Sequence, residues 1–148
     1  MMGLTACGAC VAKSMSTIWE TELALGGIHH GDSKKSVLER LGKPESIDDP
    51  TKFKFSNIVY PDLTVTLGEG GDGVIFVRSS SPKYCTPSGI CPGMPFSRAE
   101  AAYSSIHILE YAKGDKFTAY FGSRLACRLT FEVEKSVIKS LGAGCMPW

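Results

Sequence analysis

A Gly-Ile-x-x-Gly turn occurs twice in this 148-residue chain, at Gly27–Gly31 and again 62 residues later at Gly89–Gly93. Further along, two stretches in which apolar residues alternate with polar ones are separated by the same 62 residues. The apolar residues are Leu63, Val65 and Leu67 in the first copy and Leu125, Cys127 and Leu129 in the second. Apolar positions that recur in order over about fifty residues indicate an internal duplication. The alternative is two unrelated segments that share turn glycines and strand patterning.

The composition predicts a soluble globular body. Hydrophobic residues make up 43% and charged residues 21% of the chain, which is enough apolar side chain to build a core. The formal net charge of +1 gives no electrostatic reason to expect nucleic acid as a partner. No apolar run approaches the roughly 20 residues that a helix needs to span a bilayer.

Six cysteines in so short a chain favour an oxidising compartment. Cys85 and Cys91 flank a short loop, Cys127 lies in an alternating strand, and Cys145 follows the last strand. These four residues allow three pairings, among which sequence does not choose. We favour Cys85–Cys91 and Cys127–Cys145. The alternative is reduced, buried cysteines that act as small apolar side chains.

The first residues resemble the end of a bacterial lipoprotein signal. Leu4-Thr5-Ala6-Cys7 fits the L-x-x-C pattern after which such signals are cut and the cysteine is acylated, although no apolar segment of 7–15 residues precedes it. We predict Cys7 as a lipidation site that anchors the chain to the outer membrane. The alternative is an accidental match to this four-residue pattern. We divide the chain into a flexible leader at 1–12, a first module at 13–80 and a second at 81–148.

The pattern within each module predicts helix followed by strands. Residues 13–25 have helix-forming composition, and a second helix starts at a cap on Asp32 or Ser33 and ends at Gly42. In the second module, Ser97 and Glu100 form a capping box at the start of a helix. Period-two alternation predicts strands within 52–78 and around 106–112, 116–121, 124–131 and 135–141.

The order of elements in the first module is a turn, a capped helix that ends in Leu41-Gly42-Lys43-Pro44, and then strands. This order resembles the helix-plus-sheet module, called the BLIP-like fold, of the BamE-type (SmpA/OmlA) outer-membrane lipoproteins and of the β-lactamase inhibitor proteins. The matching residues are Gly27-Ile28, Gly31, Ser33, Val37, Tyr60 and Val74-Ile75, then Gly89-Ile90, Gly93, Met94, Tyr120 and Val137-Ile138. Two copies are similar to the tandem arrangement in the inhibitors. The resemblance implies an α+β fold of two tandem modules, each with helices packed on one face of an antiparallel meander.

No group of residues in the sequence indicates catalysis, a cofactor or a metal. The stretch Gly68–Gly73 is rich in glycine like a phosphate loop, but a strand follows it instead of a helix, so we interpret it as a turn. His29 and His30 are adjacent, whereas zinc sites use spaced ligands. We interpret them as loop residues, and we expect no enzyme.

The polar face of the predicted sheet is the remaining candidate site. Strand alternation places Lys52, Lys54, Thr64, Thr66, Lys116, Tyr120, Arg124 and Arg128 on it. One interpretation is a solvated face whose lysines discourage edge pairing. The other is a partner-binding face that carries Tyr120, Arg124, Arg128, Lys116 and Lys54, since Arg and Tyr are enriched among interface anchors.

Two functions follow from these features. The first is a non-catalytic, periplasmic, lipid-anchored protein that binds another protein, as an inhibitor of, or an immunity protein against, a secreted or envelope enzyme or toxin. The second is an outer-membrane assembly or structural lipoprotein in the manner of BamE. The doubled module favours the first, and the lipoprotein-like leader with the Leu-Gly-x-Pro helix end favours the second.

We expect mass spectrometry of non-reduced peptides to find two intramolecular disulfides in the folded chain. Each is expected to stabilise the fold by about 2–4 kcal/mol, because a cross-link lowers the entropy of the unfolded chain. Free alkylation of Cys85, Cys91, Cys127 and Cys145 without a reductant would contradict this and would point to a cytosolic protein.

Overall fold

The computed structural model describes residues 18–49, 52, 54–104, 107–122 and 127–145. Three of the sequence predictions therefore lie outside the described residues: the leader at 1–12, its lipidation site Cys7, and the candidate anchor Arg124.

The described chain is built mainly from antiparallel strands. Two α-helices occur in this part of the chain, α1 (Lys34–Leu41) and α2 (Phe96–Tyr103). The strands are β1 (Ala24–Leu25), β2 (Ile28–His29), β3 (Ser46–Ile47), β4 (Ser56–Tyr60), β5 (Leu63–Leu67), β6 (Val74–Ser79), β7 (His107–Lys113), β8 (Lys116–Gly122), β9 (Cys127–Glu134) and β10 (Val137–Cys145). β1 and β2 form a two-stranded sheet, and the other eight strands form one sheet in the order β3-β4-β5-β6-β10-β9-β8-β7.

The predicted fold class, an α+β fold of two tandem helix-plus-sheet modules, is wrong. The described residues form a mainly-β fold with one continuous eight-stranded sheet, a small two-stranded sheet and two helices of eight residues each. The strands of the two predicted modules join because β6 and β10 pair antiparallel over Leu141–Gly144 and Phe76–Ser79. This pairing satisfies N–H and C=O groups that would otherwise lie at two sheet edges. The boundary predicted at residues 80/81 falls in the connection from β6 to α2.

A single apolar core lies on one face of the large sheet. Both helices and the β1–β2 hairpin contribute to it, with Val37 from α1, Phe96, Ala99 and Tyr103 from α2, and Leu25 and Ile28 from the hairpin. Phe96, Tyr103, Phe121 and Phe131 form an aromatic cluster in which the Phe121 and Phe131 rings meet edge to face at 5.4 Å. Such edge-to-face pairs stabilise a core beyond the area they bury. Because side chains alternate along each strand, the opposite sheet face carries a different set of residues.

The local helix signals were predicted with mixed success. Ser33 caps α1 by accepting a hydrogen bond from the Ser36 N–H at 3.0 Å, and Gly42 follows the helix with φ +79°, as the sequence predicted. The described part of the helix predicted at 13–25 is a short 3-10 turn followed by β1. Gly26 and Gly27, which directly follow that predicted helix, form the two-residue turn of the β1–β2 hairpin, with φ +59° and +82°. Positive φ at both central residues is typical of such hairpin turns.

The capping box predicted at Ser97 is also wrong. α2 begins at Phe96 with Pro95 at the capping position, and no side chain caps it. The start of the helix is fixed instead by the turn between β9 and β10 and by the first residue of β10, because the Phe96 N–H donates to the Ser136 carbonyl at 2.9 Å and Pro95 bridges to Val137. A tertiary contact therefore replaces the local cap that the sequence suggested.

Two disulfides join Cys85 to Cys91 and Cys127 to Cys145, which are the pairs that the sequence analysis favoured. The second one links paired residues of β9 and β10, so it fastens two neighbouring strands. Disulfides form and persist outside the reducing cytosol. The two bonds therefore indicate a secreted or periplasmic protein. None of the helices in the described chain is long and apolar enough to cross a membrane.

A buried polar cluster ties the Cys85–Cys91 loop to α2 and to the start of the described chain. The Tyr103 hydroxyl donates to Glu22 Oε1 at 2.9 Å, and the Ser88 N–H donates to the same oxygen at 3.2 Å. Since the Tyr103 proton is used there, Thr86 Oγ1 is the donor in its 2.7 Å bond to the Tyr103 oxygen. Thr86 Oγ1 also accepts from the Ile90 N–H at 3.2 Å. Three separate segments of the chain thus share one hydrogen-bonded unit.

We expect Tyr103→Phe to lower the free energy of unfolding at pH 7 by about 1–3 kcal/mol, because the buried Glu22 carboxylate loses its donor. Burial first, and then Glu22, raise the pKa of Tyr103 well above its ordinary value of 10.0. The unfolded chain therefore releases this proton at a lower pH than the folded one, so the contribution of Tyr103 is complete below pH 10 and declines as the pH rises further.

Urea unfolding between pH 7 and 11 measures both effects. The wild type should lose stability above pH 10 more steeply than Tyr103→Phe. Tyr84→Phe is the matched control for the loss of a tyrosine hydroxyl, since Tyr84 is a half-buried tyrosine outside this cluster, and it should lower the free energy of unfolding at pH 7 by less than Tyr103→Phe does. Equal slopes in the wild type and in Tyr103→Phe would contradict the role of Tyr103.

Candidate functional site

The sheet face opposite the core is the candidate site, and we call it the open face. Along β9, Leu129, Phe131 and Val133 are buried in the core, so the residues between them lie on the other face. Strand pairing extends this face across the sheet through Tyr120 on β8, Thr130 on β9, Gly142 on β10, Arg78 on β6 and Thr64 on β5. Both helices and the hairpin of the described chain contribute side chains to the core on the opposite side.

Arg128 and Tyr120 form a stacked pair on the open face. The Arg128 guanidinium carbon lies 4.2 Å from the centre of the Tyr120 ring. A guanidinium at this distance is attracted to the negative face of the ring, and the stack fixes the plane in which its N–H groups point. Both residues were predicted as partner-binding residues, and the structure brings them into contact.

Arg78 is held by a second set of contacts, on the other side of β10. Its Nη2 lies 3.0 Å from Glu132 Oε2 and 3.4 Å from Ser140 Oγ, and the Ser140 hydroxyl donates to the same Glu132 oxygen at 3.0 Å. About half of each charged side chain is exposed to solvent, so this ion pair adds at most about 1 kcal/mol to stability. Its main consequence is that Arg78 has a defined orientation.

Glycines on β10 allow the strands and side chains at this place to approach closely. A Cβ atom on Gly142 would collide with the tip of the Phe76 ring, which therefore lies over the bare backbone of Gly142. A Cβ atom on Gly144 would collide with the Ile75 carbonyl, and it would lie 2.7 Å from the Phe76 Cα. Gly142 thus makes room for a ring, and Gly144 makes room for the neighbouring backbone.

These groups enclose a shallow pocket of about 160 Å³. Arg128 and Tyr120 line one side, Phe76 and Arg78 line the other, and Glu132 and Ser140 line one end. Glu132 also lines a larger neighbouring hollow of about 450 Å³ that includes Lys113, Lys116, Lys139 and Glu134. The two hollows are therefore adjacent, and cationic side chains outnumber anionic ones along them.

The other predicted partner-binding residues are spread over the sheet. Lys116 lies beside the larger hollow, 3.8 Å from Glu134. Lys54 precedes β4 and pairs with Glu69 at 3.3 Å. β4 and β8 are five strand spacings apart in the sheet order, about 24 Å, so Lys54 is remote from Lys116 and Tyr120 on β8. Nothing is described for Arg124.

The sequence analysis missed Phe76, Arg78, Glu132 and Ser140. Alternation in β6 could have found the first two, because Val77 and Ser79 are buried between and beside them. Similarly, Glu132 alternates with the buried residues Phe131 and Val133 of β9. The convergence of Phe76 and Arg78 with Tyr120 and Arg128 depends on the β6–β10 pairing, for which the local pattern gives no signal.

The remaining candidate motifs have structural explanations. Residues Glu69–Gly71 form a 3-10 turn between β5 and β6, which agrees with their interpretation as a turn. His29, predicted as a loop residue, is instead the last residue of β2, and its backbone N–H donates to the Asp32 carboxylate at 2.9 Å, next to the start of α1. Among the described residues, no group of three or more His, Cys, Asp or Glu side chains could hold a metal ion.

Comparison with known proteins relates the fold to one solved structure. No protein-family model and no curated protein matches the chain. The chain is similar to the 1.5 Å crystal structure of an extracellular protein containing a SCP domain from Bacillus anthracis str. Ames, with a TM-score of 0.51 and 11% sequence identity. The similarity covers 78% of this chain and 43% of that chain, so this chain spans less than half of that protein's length. At this identity the likeness concerns the fold alone.

We expect Gly144→Ala to lower the free energy of unfolding by about 2–3 kcal/mol, because the added methyl group meets the backbone of β6. Gly142→Ala is the matched control. Its methyl group meets the end of the Phe76 side chain, which can move, so its loss should be smaller. Urea unfolding of both variants measures the difference. Equal losses, or an unchanged Gly144→Ala, would show that β6 and β10 are not in this close register.

Proposed function

We propose that this chain is a non-catalytic protein-binding module whose open face binds an enzyme or toxin, as an inhibitor or an immunity protein. The observation that carries the proposal is the cluster of two oriented arginines and two aromatic rings at the centre of that face. It consists of Arg78, Arg128, Phe76 and Tyr120.

Energetic considerations support a binding role for this cluster. Arginine and tyrosine are enriched among the residues that dominate interface affinity, especially near the centre of a contact. Tyrosine offers a rigid ring with few rotatable bonds, and an arginine that is already oriented loses little entropy when it binds.

The charges along the open face indicate the kind of partner. The two hollows are lined by Arg78, Arg128, Lys113, Lys116 and Lys139, against Glu132 and Glu134. This excess of positive charge fits an acidic or mixed surface on the partner, and it would speed association at low salt. Lys54 and Arg124 are proposed as further contacts.

We further propose that the chain acts in the periplasm, anchored to the outer membrane through Cys7. The two disulfides support an oxidising compartment. The similar structure from Bacillus anthracis is described as an extracellular protein, which agrees with a place outside the cytosol. The L-x-x-C sequence at Leu4–Cys7 supports the anchor.

Affinity capture from periplasmic and outer-membrane extracts, with the folded chain as bait, tests the proposed function. We expect one stoichiometric enzyme or toxin as partner. Replacing Tyr120 or Arg128 with alanine should weaken its binding by about 2 kcal/mol, or roughly thirtyfold, because each removes an anchor from the centre of the contact.

The control is Arg98→Ala, which removes an exposed arginine from α2 on the core side of the sheet. It should change the affinity by less than about 0.5 kcal/mol. Calorimetry with the captured partner measures the affinities of Tyr120→Ala, Arg128→Ala and Arg98→Ala. Wild-type affinity in both Tyr120→Ala and Arg128→Ala would exclude the open face as the interface. Capture of membrane-assembly components instead would favour a BamE-like role.

A further inference from the structure

We infer that the 160 Å³ pocket on the open face binds one carboxylate side chain, an aspartate or glutamate that the partner presents. This inference rests on the proposed function, because it names the group that the open face would recognise.

The first step concerns the two guanidinium groups that line the pocket. Arg78 and Arg128 lie on opposite sides of β10, with Cα atoms about 12 Å apart by strand spacing and rise. Tyr120 orients one of them, and Glu132 with Ser140 orients the other. Planar guanidinium groups held in fixed directions match the two oxygens of a carboxylate better than they match a neutral or a cationic group.

The second step is the charge of the pocket. It contains two positive side chains and one negative one, Glu132, so it carries one net positive charge. One carboxylate balances this charge. A doubly charged phosphate would place excess negative charge beside the Glu132 carboxylate, and like charges at close range repel. Glu132 therefore selects a singly charged anion over a phosphate group.

The third step is the size and lining of the pocket. A volume of 160 Å³ corresponds to roughly five water molecules, which fits the short aliphatic stem and carboxylate of an acidic residue. The rings of Phe76 and Tyr120 are the apolar walls against which such a stem would pack. Displacing water from between these rings strengthens the hydrogen bonds that form there.

The test uses N-acetylglutamate N-methylamide as the probe and its glutamine analogue as the matched neutral control. Both are titrated into the full chain labelled with ¹⁵N, and the arginine Nε–Hε and backbone amide signals are followed by NMR. We expect saturable shifts of the Arg78 and Arg128 signals with the glutamate probe, and about tenfold weaker binding of the glutamine probe, because the ionised acceptor makes the stronger bonds.

Variants show whether the binding occurs in the pocket. Arg78→Ala and Arg128→Ala should each abolish the saturable shifts, with folding checked by the remaining amide spectrum. Arg78→Lys and Arg128→Lys keep the charge but lose the planar fork, and they should bind the probe more weakly than the wild type. Inorganic phosphate should bind more weakly than the glutamate probe. Glu132→Gln should reduce this difference in affinity, because the repulsion between Glu132 and phosphate is removed.

Equal responses to the glutamate and glutamine probes would overturn the inference, as would shifts that survive in both alanine variants. The capture experiment decides separately on the proposed function. Failure of the probe, with partner binding that still depends on Arg128, overturns the carboxylate pocket alone. Specific probe binding supports the pocket, even where partner capture does not depend on Arg128 and the proposed function fails.

Discussion

The pairing of β6 with β10 is the constraint on which the rest of the structure depends. It joins β3–β6 to β7–β10 and makes one sheet from strands that would otherwise end in two exposed edges. Gly144 permits this pairing, since any side chain there would meet the backbone of β6. The same pairing carries Arg78 to within two strands of Arg128. Without it, the two arginines would belong to separate surfaces, and the pocket between them would not exist.

A continuous sheet also explains why one face is covered and the other is open. Both helices and the β1–β2 hairpin bury their apolar residues against the same face. The cluster of Glu22, Tyr103 and Thr86 then fastens the Cys85–Cys91 loop to α2 from within. Hydrogen bonds among buried groups are costly to break, because a donor or acceptor that loses its partner in the core cannot form a hydrogen bond to water instead. Stability is thus concentrated on the core side, and the open face can carry polar side chains without weakening the fold.

Structural features that depend on neighbouring residues could be predicted from the sequence, whereas features that depend on contacts between distant residues could not. The cap of α1 at Ser33 and its end at Gly42 depend on neighbouring residues, so the pattern predicted them. The strands around β8 and β9 were predicted from alternation.

Features that depend on contacts between distant parts of the chain were predicted wrongly. The capping box at Ser97 was wrong because the first N–H of α2 bonds to the carbonyl of Ser136, a residue far along the chain. The fold class was wrong because pairing of β6 with β10 leaves no local trace. Alternation predicted Tyr120 and Arg128 and could also have found Arg78, but the local pattern does not predict that the β6–β10 pairing brings Arg78 near them.

The open face holds its arginines and its lysines in different ways, and this determines how each would contribute to binding. The Lys116 amino group lies 3.8 Å from the Glu134 carboxylate, in an exposed pair that is screened by salt and easily exchanged. Such charges mainly affect how fast a partner approaches. Arg128, stacked on Tyr120, has its orientation before a partner arrives, so less entropy is lost on binding. Affinity on this face should therefore depend on the pocket at its centre, and the dependence on salt should come from the lysines around it.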